Sequence, residues 1–478
     1  MRPTNRTHRG THGHRGLALL ATVGMLTLCG PTFPVTAQQA EENRPSDPPP
    51  LDLGKQASSE PLSPQKDFTQ QQACMQASNG GPTITEEPWS QRILGIERAH
   101  SQGWKGQGQT VAVIDTGVNP HPRLPRLRDG GSAVPQGGAL TDCDGHGTIV
   151  AGIIAAVPTP DTGFVGVAPQ STILSIRQSS ALYQNEATGK TVGNTITMAQ
   201  AINSAVRQGA DVVNISQASC QPIASAAGRP GNAKLHSAVH NAYRSGVVVV
   251  AAAGNTGDKC RKNPPSDPTT AVLPAWFDKY VLTVASVDAQ GAPSEFTVPG
   301  PWVDVAAPGE NLTSLDPGRN GDGLANRITH GSDGRPQPVQ GTSFAAPYVS
   351  GLVALMQQKF TEQDTPLSPG EIMERIEKTA QHPGGTEGRN DIIGYGMINP
   401  MAALNDVVPA EHGAAAAPVE PRRLESHVFP QENWVAIAIA LGGAVGGLGT
   451  VFFTAFLMNA IRKVRAREAG TSTPESQA

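Results

Sequence analysis

Short, almost wholly apolar runs alternate with longer segments of helical character between residues 89 and 406. Runs of this kind predict strands buried on both faces of a parallel sheet, because strands with one wet face alternate apolar and polar residues. The predicted strands are 110–114, 172–176, 211–215, 247–252, 281–287 and 303–306. The predicted helices are 145–156, 195–208, 232–245, 342–359 and 368–379. This order predicts an α/β domain with a mostly parallel sheet covered by helices on both faces.

A further apolar run, residues 17–28, follows several arginines near the start of the chain. Val35 and Ala37 then offer the small side chains that a signal peptidase recognises. The pattern predicts a cleavable secretory signal over residues 1–37. The alternative, an N-terminal membrane anchor, is disfavoured because the run is too short to span a bilayer comfortably.

The segment 434–461 contains no charged residue and predicts a single transmembrane helix. At 1.5 Å per residue it is long enough to cross a hydrocarbon core of roughly 30 Å. Trp434 lies at one edge, and a basic cluster follows the other edge, which predicts a cytoplasmic tail over 462–478. The signal predicts the same orientation, with the α/β domain extracytoplasmic and the chain in the cell membrane. The cluster consists of Arg462, Lys463, Arg465 and Arg467.

Charged residues make up 16% of the chain and the formal net charge is −4. A weakly acidic chain without a basic block is not expected to bind nucleic acid. Residues 38–88 are rich in Pro, Gln, Ser and Glu and predict an extended N-terminal extension, tied down only where it carries a cysteine. Residues 407–433 change to Ala, Pro and Glu and predict a linker.

Removal of the signal leaves four of the five cysteines, an even number in an oxidising compartment. Four cysteines allow three pairings, of which we favour Cys74–Cys143 and Cys220–Cys260, the second closing a surface loop. The alternative is free or zinc-bound thiols, but no Cys-x-x-Cys spacing supports zinc. We expect no metal site and no cofactor, and interpret the Asp and Asn residues of 311–333 as an ordinary surface loop.

Two short motifs place polar side chains where a site is expected. Asp115 ends an apolar strand and is followed by Thr-Gly, and ligands bind beyond the carboxyl ends of the strands of an α/β sheet. His146 begins a helix between two glycines, which leave its imidazole open. Each has a plainer alternative: a strand-terminal Asp is often a turn former, and a His near a helix start is commonly inert.

Ser343 lies in Gly-Thr-Ser-Phe-Ala-Ala-Pro at the start of the helix 342–359, where backbone N–H groups are free and the helix dipole is positive. An N-cap role is the plainer alternative. Asn255 follows an apolar strand, and its amide is suited to donate to an oxyanion, although a turn role alone is also compatible. Taken together, Ser343, His146 and Asp115 supply a nucleophile, a base and an orienting carboxylate. The chain order Asp, His, Ser is that of subtilisin among the convergent triads.

These segments resemble the subtilase (subtilisin-like) family from about residue 89 to residue 404. The resemblance implies a subtilisin-like three-layer fold and a catalytic set of Asp115, His146 and Ser343, with Asn255 as the oxyanion donor. It also implies that residues 214–217, including Ser216 and Gln217, border an edge that pairs with extended substrate. Residues 251–254, including Ala252 and Gly254, are expected to form a wall of the pocket for the residue before the cut.

The whole layout, from signal and cysteine-bearing extension to the single C-terminal span, resembles the mycosins, membrane-anchored proteases of type VII secretion systems. That resemblance implies an extension that wraps the protease domain, with Cys74–Cys143 fastening it three residues before His146. The expected function is a serine endopeptidase that cleaves exported proteins, with membrane secretion-complex subunits as partners. The alternative is a structural subunit that stabilises such a complex, supported by two overlapping GxxxG patterns in the span, which common membrane-helix glycine explains equally well.

Overall fold

The computed structural model describes residues 46–51, 60–75, 84–257, 259–265, 267–318, 321–329, 336–384, 388–408 and 434–468. The predicted signal lies outside the described residues, as do residues 409–433 of the linker and 469–478 of the tail.

The strands and helices are named in chain order. The strands are β1 Thr69–Gln70, β2 Thr110–Asp115, β3 Leu127–Ser132, β4 Thr172–Arg177, β5 Ser180–Gln184, β6 Thr191–Val192, β7 Val212–Ile215, β8 Ser219–Pro222, β9 Val248–Ala252, β10 Thr270–Leu273, β11 Val281–Val287, β12 Val305–Pro308, β13 Ser314–Leu315, β14 Leu324–Ala325, β15 Arg327–Thr329 and β16 Pro336–Pro338. The α-helices are α1 Trp89–Leu94, α2 Ile96–Ser101, α3 His146–Ala155, α4 Thr195–Arg207, α5 Ile223–Ala226, α6 Pro230–Arg244, α7 Thr342–Glu362, α8 Pro369–Thr379, α9 Pro400–Asn405 and α10 Trp434–Glu468. A single 3₁₀ turn covers Asp278–Tyr280.

Seven strands form one sheet in the order β12-β11-β9-β7-β2-β4-β3, and each neighbouring pair is parallel. From β2 the chain passes to the edge strand β3 and returns to β4, which pairs with β2, and then builds outward on the other side through β7, β9, β11 and β12. β2 therefore lies at the point where the strand order reverses. The crevice beyond the carboxyl end of such a strand is where α/β sheets bind ligands.

Helices cover the sheet in two groups. α3 packs on α7, while α4 packs on α6. β7, β9, β11 and β12 are buried along their whole length, and β2 and β4 from their second residue onward; Val111 to Ile114 and Val248 to Val250, for example, have no exposed surface. Burial on both faces explains why these strands are continuously apolar, and it gives the three-layer α/β fold that the sequence predicts.

The sequence predicts most boundaries within one to three residues. Gly145 is the residue before α3 rather than its first residue, because its φ of 76° lies in the left-handed region. α7 extends to Glu362 and β12 begins at Val305, two residues later than predicted. β3 and the small antiparallel sheets were not predicted. β3 is an edge strand, and several of its residues are exposed or half-buried. It therefore carries polar and glycine residues and lacks the apolar run of the inner strands.

α10 is long and apolar enough, by length and composition, to cross a membrane. It continues past the predicted end of the span through the basic cluster to Glu468. Its side chains from Gly442 to Arg465 are exposed, including Phe452, Phe453 and Phe456. Exposed aromatic and aliphatic side chains on every side of a helix indicate a lipid environment rather than water.

Candidate active site

Asp115 is the last residue of β2 and is completely buried. The N–H of Thr116 donates to its Oδ1 over 2.7 Å. Gly117 then turns the chain at a φ of 106°, a conformation that L side chains rarely adopt. The strand and turn together fix one carboxylate at the crevice where the strand order reverses.

His146 joins this carboxylate to Ser343. Its Nδ1 lies 2.7 Å from Asp115 Oδ1, and its Nε2 lies 2.9 Å from Ser343 Oγ. A carboxylate can only accept, so Nδ1 carries the proton and Nε2 is left to accept from the serine hydroxyl. Gly147 permits this approach, because a Cβ there would collide with the carbonyl oxygen of Gly117. The three side chains form one hydrogen-bonded line.

The electrostatic surroundings of His146 favour its charged form. Burial by itself lowers the pKa of the imidazole, but the charge and hydrogen bond of Asp115 outweigh burial, with smaller contributions from Asp142 and Asp144, and the pKa is raised above 6.5. The ring also packs against Phe344, with centroids 4.7 Å apart. These surroundings therefore stabilise the protonated, imidazolium form of His146.

Ser343 is the second residue of α7 and is 8% exposed. The Ser216 hydroxyl donates to the Ser343 carbonyl over 2.6 Å, which anchors the first turn of the helix. The positive end of the helix dipole lies at this first turn of α7, beside the Ser343 hydroxyl.

Asn255 lies beyond the end of β9, beside the start of α7. Its Oδ1 accepts from the N–H and the hydroxyl of Thr342, each over 3.0 Å, which fixes the orientation of the side-chain amide. A Cβ placed on Gly341 would lie 3.1 Å from Ser343 Oγ and 3.2 Å from Asn255 Nδ2. Gly341 thus leaves a gap between the hydroxyl and the amide nitrogen, and a small oxygen fits there.

A cleft of about 980 Å³ opens beside His146. Gln217, Ala218 and Ser219 line it on the side of β7 and β8. Three of the residues implied in substrate binding, Ser216, Ala252 and Gly254, are buried and do not line this cleft; only Gln217 does. The implied edge for substrate stays a prediction. β7 pairs on both sides as far as Ile215, so its backbone is free for another strand only from Ser216 onward.

Both favoured disulfides are present. Cys74 pairs with Cys143 across 69 residues, and Cys220 pairs with Cys260 across 40. The first bond fastens the extension: β1 pairs antiparallel with β5, and the Met75 N–H donates to the Cys143 carbonyl over 2.8 Å. Residues 72–75, around the cysteine at which the extension is expected to be tied down, form part of the cleft wall.

In the part of the chain that the structure describes, His, Cys, Asp and Glu side chains form no group of three or more that could hold a metal ion. Residues 319–320 and 330–333 of the predicted surface loop lie outside that part.

The geometry is matched by a family likeness over most of the domain. The model of the family described as Peptidase_S8, Subtilase family, matches residues 106–396. The chain belongs to the subtilase family.

Several relatives of this subtilase are mycosins. Mycosin-1 of Mycolicibacterium smegmatis is 39% identical over 428 residues, covering 83% of this chain and 90% of that protein. The crystal structure of MycP1 from Mycobacterium smegmatis superposes with a TM-score of 0.67 at 38% identity, covering 78% and 99% of the two chains. A chain in the structure of an intact ESX-5 inner membrane complex gives a TM-score of 0.69 at 37% identity, covering 86% and 100%. This subtilase therefore stands among the mycosins, and its activity is that of a serine endopeptidase.

Sequence reasoning missed the polar residues that surround the His146 loop. Asp142 and Asp144 lie four and two positions before His146, both mostly buried and both hydrogen-bonded to neighbouring elements. The available signal was two carboxylates in a run otherwise made of small residues. Their burial depends on contacts with distant segments, which the run itself does not reveal.

Proposed function

We propose that this membrane-associated subtilase cleaves exported polypeptides through an acyl-enzyme formed on Ser343. The observation that carries the proposal is the unbroken hydrogen-bonded line from Asp115 through His146 to Ser343. Ser343 Oγ attacks the scissile carbonyl carbon while its proton passes to His146 Nε2. Asp115 holds the proton on Nδ1 and stabilises the imidazolium.

The resulting oxyanion enters the gap beside Gly341, where the Asn255 amide and the start of α7 supply donors. Collapse of this intermediate breaks the C–N bond, and the leaving amine takes the proton from His146. Water then attacks the acyl-enzyme, with its proton again passing to Nε2. The acid product leaves as Ser343 recovers its proton.

We place extended substrate along residues 216–218, beside Gln217 in the cleft. The backbone from Ser216 onward continues β7 without a partner in the main sheet, which suits pairing with an extended peptide. The extension residues 72–75 face the same cleft from the His146 side. Substrate therefore binds between the protease domain and its own N-terminal segment.

We also assign the protein to a type VII secretion machinery. A solved relative, aligned over 100% of its length, belongs to an ESX-5 inner membrane complex. The basic residues Arg462, Lys463 and Arg465 at the end of α10 support a cytoplasmic tail and an extracytoplasmic protease domain.

A purified wild-type protein and its Ser343→Ala variant, incubated with a peptide library, test the enzymatic proposal. We expect new peptide termini with wild type and none with the variant, scored by mass spectrometry. Cleavage that is identical in both samples would mean that Ser343 is not the nucleophile.

A structural role in a secretion complex is the second candidate, favoured by the small-residue face of α10. A Cβ at Gly442, Gly443, Gly446 or Gly447 would meet nothing within 4 Å, so another helix has room to approach. Comparing Ser343→Ala with a full deletion in cells separates the two roles. Secretion that persists in the variant but fails in the deletion favours scaffolding; failure in both favours catalysis.

A further inference from the structure

Asp142 is a second buried carboxylate close to the proposed catalytic line, 4% exposed and without contact to the cleft. It accepts four hydrogen bonds. Its Oδ1 receives the Thr116 hydroxyl at 2.8 Å and the Gly145 N–H at 2.7 Å. Its Oδ2 receives the N–H and the hydroxyl of Thr148 at 2.8 and 2.7 Å.

These donors belong to two segments: the loop that follows Asp115, and the loop that leads into α3 together with the first turn of that helix. Thr116 follows Asp115 directly, whereas Gly145 and Thr148 flank His146. Thr116 makes a second connection, because its hydroxyl also accepts the Gly147 N–H over 3.0 Å. A chain of hydrogen bonds therefore runs from Gly147 through Thr116 to Asp142. It joins the residue after Asp115 to the residue after His146.

The two loops also touch through their backbones. A Cβ on Gly117 would collide with the carbonyl of Thr141, and one on Gly147 would collide with the carbonyl of Gly117. Glycine at both positions lets the loops cross without side chains between them. Asp142 lies at this crossing, and its own N–H and C=O are bound by the Asn119 side chain at 2.8 and 2.9 Å.

We propose that Asp142 is a positioning residue that locks the loop of Asp115 to the loop of His146 and sets the distance between the two side chains. The inference rests on the proposed catalytic roles of Asp115, His146 and Ser343. Through its hydrogen bonds to both loops, Asp142 maintains the 2.7 Å contact between Asp115 Oδ1 and His146 Nδ1.

Asp142 also acts on His146 through its charge. Burial raises the pKa of Asp142 to about 6, against the hydrogen bonds from Thr148 and Thr116, so at neutral pH the group is largely the carboxylate that four donors require. The carboxylates of Asp115, Asp142 and Asp144 together raise the pKa of His146 against its burial. Removing one negative charge is expected to lower that pKa.

The test is Asp142→Asn in the full-length protein, assayed on a peptide that wild type cleaves and Ser343→Ala does not. Whichever way the amide turns, its nitrogen places a donor against the N–H of Gly145 or of Thr148, which loosens the crossing. We expect kcat to fall by roughly 10- to 100-fold, the size of a small misplacement of reacting groups, with KM nearly unchanged. The acid limb of kcat/KM against pH should move to lower pH.

Asp211→Asn is the matched control. Asp211 is a half-buried carboxyl that accepts the Thr110 N–H over 2.7 Å at the opposite end of β2. If both variants lose melting temperature and kcat equally and neither moves the acid limb, Asp142 is merely structural and the proposal fails. Wild-type kinetics in Asp142→Asn would also overturn it.

A second pair of variants, at Thr116, tests the same proposal if Asp142→Asn does not fold. Thr116→Val removes the hydroxyl that links Gly147 to Asp142, while Thr116→Ser keeps it. We expect a loss of kcat in the first and recovery in the second. Equal kcat in the two variants contradicts the proposal. Absence of any Ser343-dependent cleavage by wild type instead refutes the proposed function and is seen before any variant is compared.

Discussion

At the residue scale, the site depends on a few polar atoms whose partners are unusually constrained. Asn255 is one of them, because its oxygen is occupied by Thr342 and only its amide nitrogen faces the gap beside Gly341. The oxygen and the nitrogen of the Asn255 amide therefore have separate roles. The oxygen orders the start of α7 and the nitrogen is available to an oxyanion.

Two substitutions at Asn255 distinguish these two roles. Asn255→Asp keeps the acceptor for Thr342 but replaces the donor with a negative charge, so we expect kcat to fall by at least about 100- to 1000-fold with KM little changed. Asn255→Ala removes both functions and should lose kcat by a similar factor while also lowering the melting temperature. Steady-state kinetics and thermal unfolding of both variants provide the check. Near-wild-type kcat in Asn255→Asp rules out an oxyanion role.

The raised pKa of His146 predicts how activity depends on pH. His146 must be neutral to accept the serine proton, and its pKa lies above 6.5 because the carboxylates outweigh burial. Activity should therefore be retained at higher pH and lost as pH falls through a value above 6.5. The acid limb of kcat/KM in the free enzyme measures this pKa. An acid limb below 6.5 contradicts the assignment.

At the element scale, the N-terminal extension is part of the working domain. β1 extends the β5–β6 hairpin, and Cys74–Cys143 ties it to the loop that ends at His146. Further upstream, the Trp276 indole N–H donates to the Ser46 carbonyl over 2.7 Å. The extension therefore holds the domain at two separated places.

The two disulfides should differ in what their removal does. In the chain-entropy account, loops of 69 and 40 residues each contribute about 4 kcal/mol to the free energy of unfolding. We expect similar losses in urea unfolding for Cys74→Ser with Cys143→Ser and for Cys220→Ser with Cys260→Ser. Only the first pair should also lower kcat, since Cys143 lies three residues before His146. Equal effects on kcat argue against coupling between extension and site.

At the scale of the whole molecule, the protease domain and the apolar helix α10 are structurally independent. The domain buries its own core, with Trp276, Trp302 and Tyr348 almost fully enclosed. The described part of α10 from Gly442 to Arg465 is exposed throughout. A self-sufficient core does not need α10 in order to fold.

Truncation after Val408 tests this separation. We expect the shortened protein to leave the membrane fraction and to retain Ser343-dependent cleavage of a peptide with a similar kcat/KM, because the site lies wholly within residues before 408. Membrane fractionation and peptide kinetics, with the full chain as control, provide the measurement. A truncated protein that stays in the membrane pellet, or folds without activity, shows that the two parts are not independent.

The sequence by itself determined the order of the apolar strands and the longer helices, the members of the hydrogen-bonded line from Asp115 to Ser343, and the favoured cysteine pairs. Strands buried on both faces must be apolar throughout, so they are visible as apolar runs. A nucleophile, a base and a carboxylate each need a particular neighbouring turn, so they are visible as short motifs. The tertiary structure alone decided which atoms meet: the burial of Ser216 and Gly254, the place of residues 72–75 in the cleft wall, and the position of Asp142 at the crossing of two loops. These features depend on contacts between segments that are far apart in the chain, and a short run of residues does not predict which distant segment it will contact.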